Sequence, residues 1–369
     1  MAHHPQIRRV LMTTDTLGGI WTYTLRLAAA LADVGIETTV AAMGRPASPS
    51  QRADARRVRG LTLHESQYRL EWMDDPWEDV ARAGEWLLDL ERITQPDIVH
   101  LASYAHGALP FVAPRIVVGH ACVLSRWRAL RGEDAPPRYD RYRREVARGL
   151  AAADAVVAPS RAMLACLEHH YGVHGGVAIP NAGPRACESR PKASFVLSAG
   201  RVWDEAKNIR ALDEVAPEIP WPIYVAGSVE GPEERDHASF KRVRLLGSLS
   251  ADAMTSWLSR ASIYAHPARY EPFGLAVVEA AVAGCALIVG DLPSMREIWK
   301  DDALYVAPDD RATLASLLTL LATDDDLRSK LGQGARLRAL QFGAERMRHA
   351  YLATYTRVLT ERGSTAACA

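Results

Sequence analysis

Residues 9–43 constrain the fold more than any other stretch. A short apolar run, Arg9-Val-Leu-Met-Thr-Thr14, leads into the loop Asp15-Thr-Leu-Gly-Gly19. A helical pattern follows from about Ile20 to Asp33, with Leu25, Ala28, Ala29 and Leu31 on its inner face, and then a second run at Glu37–Met43. Strand, glycine loop, helix and strand in this order make a βαβ unit, so the sheet is parallel and must be covered by helices. Further strands are predicted at Ile98–Leu101, Arg115–Gly119 and Ala155–Ala158. After the polar, turn-rich stretch Asn181–Ala193 the alternation begins again, with strands at Phe195–Ala199, Ile223–Ala226, Val243–Leu246, Ile263–Ala265 and Ala286–Val289. A chain of 369 residues exceeds what one core usually supports. Two successive α/β domains joined near Pro180–Pro191 follow. A last helix over Ala344–Leu359 carries Met347, Tyr351, Leu352, Tyr355 and Leu359, and the residues after Arg362 read as a frayed tail.

Charge and cysteine content exclude several function classes. Acidic and basic residues balance at 44 each, which argues against a nucleic-acid binder with a basic surface. The five cysteines (Cys122, Cys166, Cys187, Cys285 and Cys368) are scattered and lack metal-ligand spacing, a pattern of reduced thiols in the cytosol. The first six residues contain no apolar signal region. No run of about 18 apolar residues appears, so no transmembrane helix is expected and the protein is soluble or at most peripheral. The arginine-rich stretch Arg126–Arg148, with Pro136-Pro137 at its centre, reads as a solvated loop and helix start. A charged surface is the simpler account of it than a patch for an anionic partner.

In open α/β sheets ligands gather at the carboxyl ends of strands, and four groups of residues fall there. The segment Arg269-Tyr-Glu-Pro-Phe-Gly-Leu-Ala-Val-Val-Glu279 places Glu271 and Glu279 around a turn that opens a helix. The free N–H groups from Gly274 onward suit an anion. Glu279 shares its helix face with Leu275, Val278 and Val282, so it needs a hydrogen-bonding partner there. A sugar or ribose diol can supply one, and so can a buried arginine. Arg201 and Lys207, in Ser198-Ala-Gly-Arg-Val-Trp-Asp-Glu-Ala-Lys-Asn208, form the kind of cation pair a diphosphate takes. Alternatively Lys207 pairs with Asp204 or Glu205 at the surface. Gly18-Gly19 can bring backbone N–H groups to a phosphate or sugar, or can be a plain turn. His120, directly after a strand, can bond a sugar hydroxyl or move a proton, or can be structural. His266 also lies near a strand end. The loops at Gly227-Ser228 and Gly247-Ser248-Leu249 can border a nucleotide base or be simple turns.

Together these residues resemble the retaining glycosyltransferases of the GT-B fold in glycosyltransferase family 4, the glycosyl transferases group 1. The family's E-x7-E element matches Glu271 and Glu279, with Pro272-Phe273-Gly274-Leu275 inside it. Its diphosphate cations match Arg201 and Lys207, its glycine loop Gly18-Gly19, and its N-domain histidine His120. Pro180-Asn181 resembles the family's Pro-Asn-Gly hinge, with Ala182 in place of the glycine. The resemblance implies two Rossmann-like α/β domains facing each other across a cleft. Residues 1–185 would bind the acceptor, residues 186–343 the nucleotide sugar, and 344–369 would form a helix crossing back to the N-terminal domain, plus a tail.

It also implies roles. Glu279 would hold the ribose hydroxyls, while Arg201 and Lys207 would neutralise the diphosphate as leaving group. Glu271 and the backbone of Phe273, Gly274 and Leu275 would contact the donor sugar and phosphate. Gly18 and Gly19 would close on the diphosphate from the other domain, and His120 would face the donor sugar. No metal and no cofactor is implied; the donor is a nucleotide sugar, with a UDP-sugar as the family-level expectation. The acceptor would be a carbohydrate, a lipid-linked molecule or a small molecule, in cell-surface polysaccharide or glycoconjugate synthesis in the cytoplasm. Weak peripheral contact with the inner face of the membrane through Arg126–Arg148 stays open. So do a GT-B sugar-nucleotide epimerase and a non-catalytic, two-domain nucleotide-sugar-binding protein.

Overall fold

A computed structural model describes residues 7–184, 190–231 and 239–367 of the chain. Met1–Gln6, Cys187 and Cys368 therefore lie outside the described residues. The chain forms two units. The first runs through Arg128, Glu133–Ala182 and from Ala344 onward; the second holds Gly183–Gly343, with Ala129–Gly132 grouped to it.

The first unit alternates strand and helix from its start. Its elements are β1 (Arg9–Asp15), α1 (Gly19–Ala32), β2 (Glu37–Met43), α2 (Pro49–Arg56), β3 (Leu61–Glu65), α3 (Trp77–Thr94), β4 (Ile98–Leu101), β5 (Arg115–Val118), α4 (Val123–Arg131), α5 (Asp140–Ala152), β6 (Ala155–Ala158), α6 (Arg161–Tyr171) and β7 (Val177–Ala178). The strands form one sheet in the order β3-β2-β1-β4-β5-β6-β7, and every pair is parallel. Burial on both faces explains why β4 and β6 read as unbroken apolar runs: each is buried throughout. The strand order reverses direction between β1 and β4, which makes the ends of those strands the place for a ligand.

The second unit repeats the plan. It contains β8 (Ala193–Ala199), α7 (Ile209–Val215), β9 (Ile223–Ala226), β10 (Arg244–Gly247), α8 (Ala251–Arg260), β11 (Ala261–His266), α9 (Leu275–Val282), β12 (Ala286–Gly290), α10 (Pro293–Trp299), β13 (Leu304–Val306), α11 (Arg311–Thr323) and α12 (Asp325–Ala339). Its sheet is parallel, in the order β10-β9-β8-β11-β12-β13, so the reversal falls between β8 and β11. The ends of β8 and β9 approach so closely that a side chain at Gly227 (φ 135°) would put its Cβ 1.8 Å from the Gly200 carbonyl oxygen. Only glycine fits there.

Several elements differ from the sequence reading. The strands β3, β7 and β13 are short or half-exposed edge strands, and none has the fully buried run that marks a central strand. The arginine-rich stretch is a largely exposed loop, as expected, only at residues 132–139 between α4 and α5. Much of it is α4 and α5, and α5 buries Tyr142, Val146, Gly149 and Leu150 while Arg143 and Arg148 pair outward with Asp140 and Glu145. Those buried positions follow the i, i+4, i+7, i+8 spacing of one helix face. The last helix, α13 (Ala344–Ala367), continues past Arg362 instead of fraying there. It buries Met347, Tyr351, Tyr355 and Val358, with Leu352 and Leu359 flanking that stripe rather than forming it, and it packs on α1 within the first unit.

Candidate functional site

The reversal between β8 and β11 brings two loops together. The loop after β8 begins at Gly200 and carries Arg201 and Lys207. The loop after β11 begins at Pro267 and carries Glu271. Lys207 Nζ donates to Glu271 Oε2 at 2.6 Å, and His266 Nε2, at the last position of β11, lies 3.0 Å from the same oxygen. The carboxylate can only accept, so His266 carries its proton on Nε2. The Lys207 and Glu271 side chains are 14% and 12% exposed, so solvent screens this pair weakly. Burial works against ionisation of Glu271, but Lys207 and then His266 outweigh it and hold the carboxyl far below the ordinary carboxylate range. The other oxygen, Oε1, takes among the described residues a long 3.5 Å contact from the Phe273 N–H, which leaves lone pairs for a ligand. Ser294 of α10 donates to the Glu271 carbonyl at 2.5 Å and fixes its backbone.

The Arg201 guanidinium is held by Asp204, whose Oδ2 accepts from Nη2 at 2.8 Å while its Oδ1 accepts from the Ala206 N–H at 3.0 Å. Asp204 is 3% exposed. Each loop cation therefore has its own carboxylate, and Lys207 is committed to Glu271 rather than to Asp204 or Glu205. Asn208 joins the two loops. It sits in the left-handed region (φ 54°, ψ 37°), and its Nδ2 donates to the carbonyls of Pro267 and Pro308, each at 2.8 Å. Both amide hydrogens are used, which ties the residue after Lys207 to the residue after His266. Asn208→Gly keeps the backbone conformation and takes the donor from the buried Pro267 carbonyl, while the Pro308 carbonyl keeps Arg311 Nη1 at 2.6 Å. We expect it to lose about 1–3 kcal/mol, read as a lower denaturant midpoint at constant slope. A wild-type midpoint would mean that the two loops hold their places without this staple.

Gly274 adopts φ 85° and opens α9, whose first intrahelical bonds run from the Val277 and Val278 N–H to the Gly274 carbonyl, so the N–H groups of Leu275 and Ala276 come before the helical ladder. Phe273 is 3% exposed and packs edge-on to Phe342 at 5.7 Å, so only its backbone faces the loop. Leu275 is half-buried. Glu279, expected on the apolar face of its helix, is half-buried. Burial first, and then the charge of Glu279, push the Tyr264 phenol upward. Tyr264 bonds the Ala199 backbone, so Glu279 lies near the end of β8.

Gly18, Gly19 and His120 belong to the first unit. Gly18 and Gly19 are exposed between β1 and α1. His120 follows β5, and its Nε2 is shielded from solvent and has no hydrogen-bond partner among the described residues. Burial pulls its imidazole down to about 3. The structure brings His266, noted in the sequence at a strand end five residues before Glu271, onto the Glu271 carboxylate, and adds Ser294, which has no local signal.

Known proteins show the same two-part plan. Residues 17–182 match the family described as Glycosyltransferase Family 4, and residues 185–338 the family described as Glycosyl transferases group 1. A D-inositol 3-phosphate glycosyltransferase of Jonesia denitrificans is 29% identical over 188 residues, covering 45% of this chain and 44% of that protein. A glycogen synthase of Mycobacterium tuberculosis is 31% identical over 174 residues, 47% of this chain and 36% of the other. The matches thus span less than half the length of these two relatives. Among solved structures, a sucrose-phosphate synthase from Thermosynechococcus elongatus superposes with a TM-score of 0.79 at 18% identity, covering 96% of this chain and all (100%) of that one. Anabaena HepE in complex with UDP and glucose gives 0.72 at 14% identity, covering 95% and 100%. These are likenesses of fold. With both halves matched in order, on two parallel-sheet α/β units of the GT-B kind, the chain belongs to glycosyltransferase family 4, the glycosyl transferases group 1.

Proposed function

We propose that this chain moves a sugar from a nucleoside-diphosphate sugar to a hydroxyl acceptor with retention of configuration and without a metal ion. The observation that carries this reading is the cluster at the β8/β11 reversal, where Lys207 and Arg201 stand on one loop and Glu271 holds Lys207 in place. Breaking the anomeric bond builds positive charge on the sugar ring and negative charge on the departing diphosphate. Fixed cations at the diphosphate lower that barrier without any rearrangement. The open Oε1 of Glu271 bonds a donor-sugar hydroxyl, and the N–H groups at the start of α9 take phosphate oxygens. With the leaving phosphate beside the acceptor, its own oxygen takes the acceptor proton, and attack comes from the face the diphosphate leaves. No side chain is needed as covalent nucleophile.

A solved fold relative holds UDP and glucose, so UDP-sugars are the first donors to test. Polyol and glycan acceptors fit the printed names of the relatives, a D-inositol 3-phosphate glycosyltransferase and an O-antigen chain mannosyltransferase B of Escherichia coli among them. A role in cell-surface glycan assembly, in the cytoplasm, goes with that reading. The test is a screen of UDP-, GDP- and ADP-sugars for binding and hydrolysis, with product configuration read by NMR and activity compared with and without EDTA. An inverted product or a requirement for metal would refute the mechanism, and no binding of any nucleoside diphosphate would refute the function.

Glu279 is assigned to the ribose hydroxyls. Glu279→Ala is expected to weaken nucleoside-diphosphate binding about 10- to 100-fold, the loss of hydrogen bonds to a charged acceptor, with little change in thermal stability because the side chain is half-buried. Calorimetric titration with UDP reads the first effect and thermal melting the second. Unchanged affinity together with a lowered melting temperature would make Glu279 a structural residue.

A further inference from the structure

A second polar constellation lies inside the first unit. His100, in β4, is wholly buried. Its Nε2 is 2.9 Å from the Tyr23 hydroxyl of α1, and its Nδ1 is 2.7 Å from the Tyr355 hydroxyl of α13. Tyr23 donates in turn to the Tyr351 hydroxyl of α13 at 2.6 Å. All four side chains are at most 1% exposed. Burial, and then the neighbouring His120, push the His100 imidazole down to about 3, so its ring carries one proton. That sets the direction of the chain. Tyr23 gives its only proton to Tyr351, so its oxygen accepts from His100 Nε2–H, and His100 Nδ1 accepts from Tyr355.

The Tyr23 hydroxyl is thus fully engaged and points its polarity toward α13. What Tyr23 presents to His120 is its ring, edge to face at 4.3 Å between centroids. Tyr23 also lies four residues after Gly19, in the first half of α1. Phenylalanine would fill similar space at each tyrosine position. A buried polar network is costly unless every member is satisfied, and here each of the bonds described finds its partner.

We propose that Tyr23, with its hydroxyl locked by His100 and by Tyr351 of the C-terminal helix, is a positioning residue that holds the His120 imidazole in place, its Nε2, buried and without a partner among the described residues, left for a sugar hydroxyl. The identity of that hydroxyl rests on the proposed glycosyl transfer; the ring geometry does not. In the full chain, Tyr351→Phe takes away the acceptor of the Tyr23 proton. That proton then turns to His100 Nε2, the ring proton of His100 moves to Nδ1, and the Tyr355 hydroxyl turns from donor to acceptor.

The expected results are a change of His100 tautomer and a displaced set of His120 imidazole resonances in ¹⁵N NMR. Sugar-transfer kcat should fall about 10- to 100-fold, the scale of an ångström misplacement, with donor KM little changed. Tyr23→Phe removes the locked hydroxyl itself while keeping the ring, and reads the His120 resonances and kcat if the first variant folds poorly. Lower thermal stability with wild-type His120 resonances and wild-type kcat would reduce the network to packing and overturn the proposal. If the wild-type chain transfers no sugar, the proposed function fails, while the His120 resonances still test the positioning.

Discussion

Lys207→Ala is expected to lower turnover by about 10²- to 10³-fold, the scale seen when one preorganised donor to developing charge is removed. The ammonium is not a mobile surface charge. It is 14% exposed and pinned on Glu271 Oε2 at 2.6 Å, so it stands in place before the leaving group develops its charge. The substitution also strands a buried carboxylate. Breaking a buried pair from one side costs about 3–5 kcal/mol, so a simple loss of folded protein must be separated from a loss of chemistry. Two controls do this. Turnover is measured below the melting transition of the variant, and Lys207→Ala is combined with Glu271→Gln, which removes the stranded charge. Stability should recover in the double variant, while its turnover should fall below that of Glu271→Gln alone. Wild-type turnover in the folded Lys207→Ala variant would end the diphosphate role of this residue.

The sequence made the loops of this site legible but not their meeting. Apolar runs and glycine turns marked the central strands of both sheets, because strands buried on two faces have little choice of residue. Arg201, Lys207 and Glu271 were visible because charged residues directly after such strands are conspicuous. Strand order was not visible. It is the reversal between β8 and β11 that places Lys207 against Glu271, across 64 residues of chain, and no local pattern carries that information. For the same reason the surface partners expected for Lys207, Asp204 and Glu205, gave way to Glu271. Helical periodicity placed Glu279 on an apolar face, but periodicity says nothing of how close to an open strand end that face lies. Tyr351 and Tyr355 were visible as part of a hydrophobic stripe. That their hydroxyls meet His100 and Tyr23 depends on where α13 packs, more than 200 residues after β4.

Glu271→Gln is expected to separate binding from turnover. The carboxylate anchors Lys207 and offsets its charge. Removing the negative charge leaves a fixed-sign cation in a weakly screened site, so the affinity for UDP should rise about tenfold or stay level. Turnover should nonetheless fall about 10²-fold, because the ammonium loses the contact that aims it and the donor sugar loses its carboxylate. The amide also offers an N–H where His266 Nε2–H now donates, which loosens a second contact to the same oxygen. Acid sensitivity supplies an independent reading. The folded chain holds Glu271 ionised far below the usual range, so this residue contributes stability above its unfolded value of 4.5 that is lost as pH falls. The wild-type denaturant midpoint should therefore drop between about pH 5 and 3, and the drop should be smaller in Glu271→Gln. If the variant instead binds UDP more weakly and keeps the wild-type acid profile, Glu271 acts on the ligand alone and the Lys207 pair is incidental to both folding and transfer.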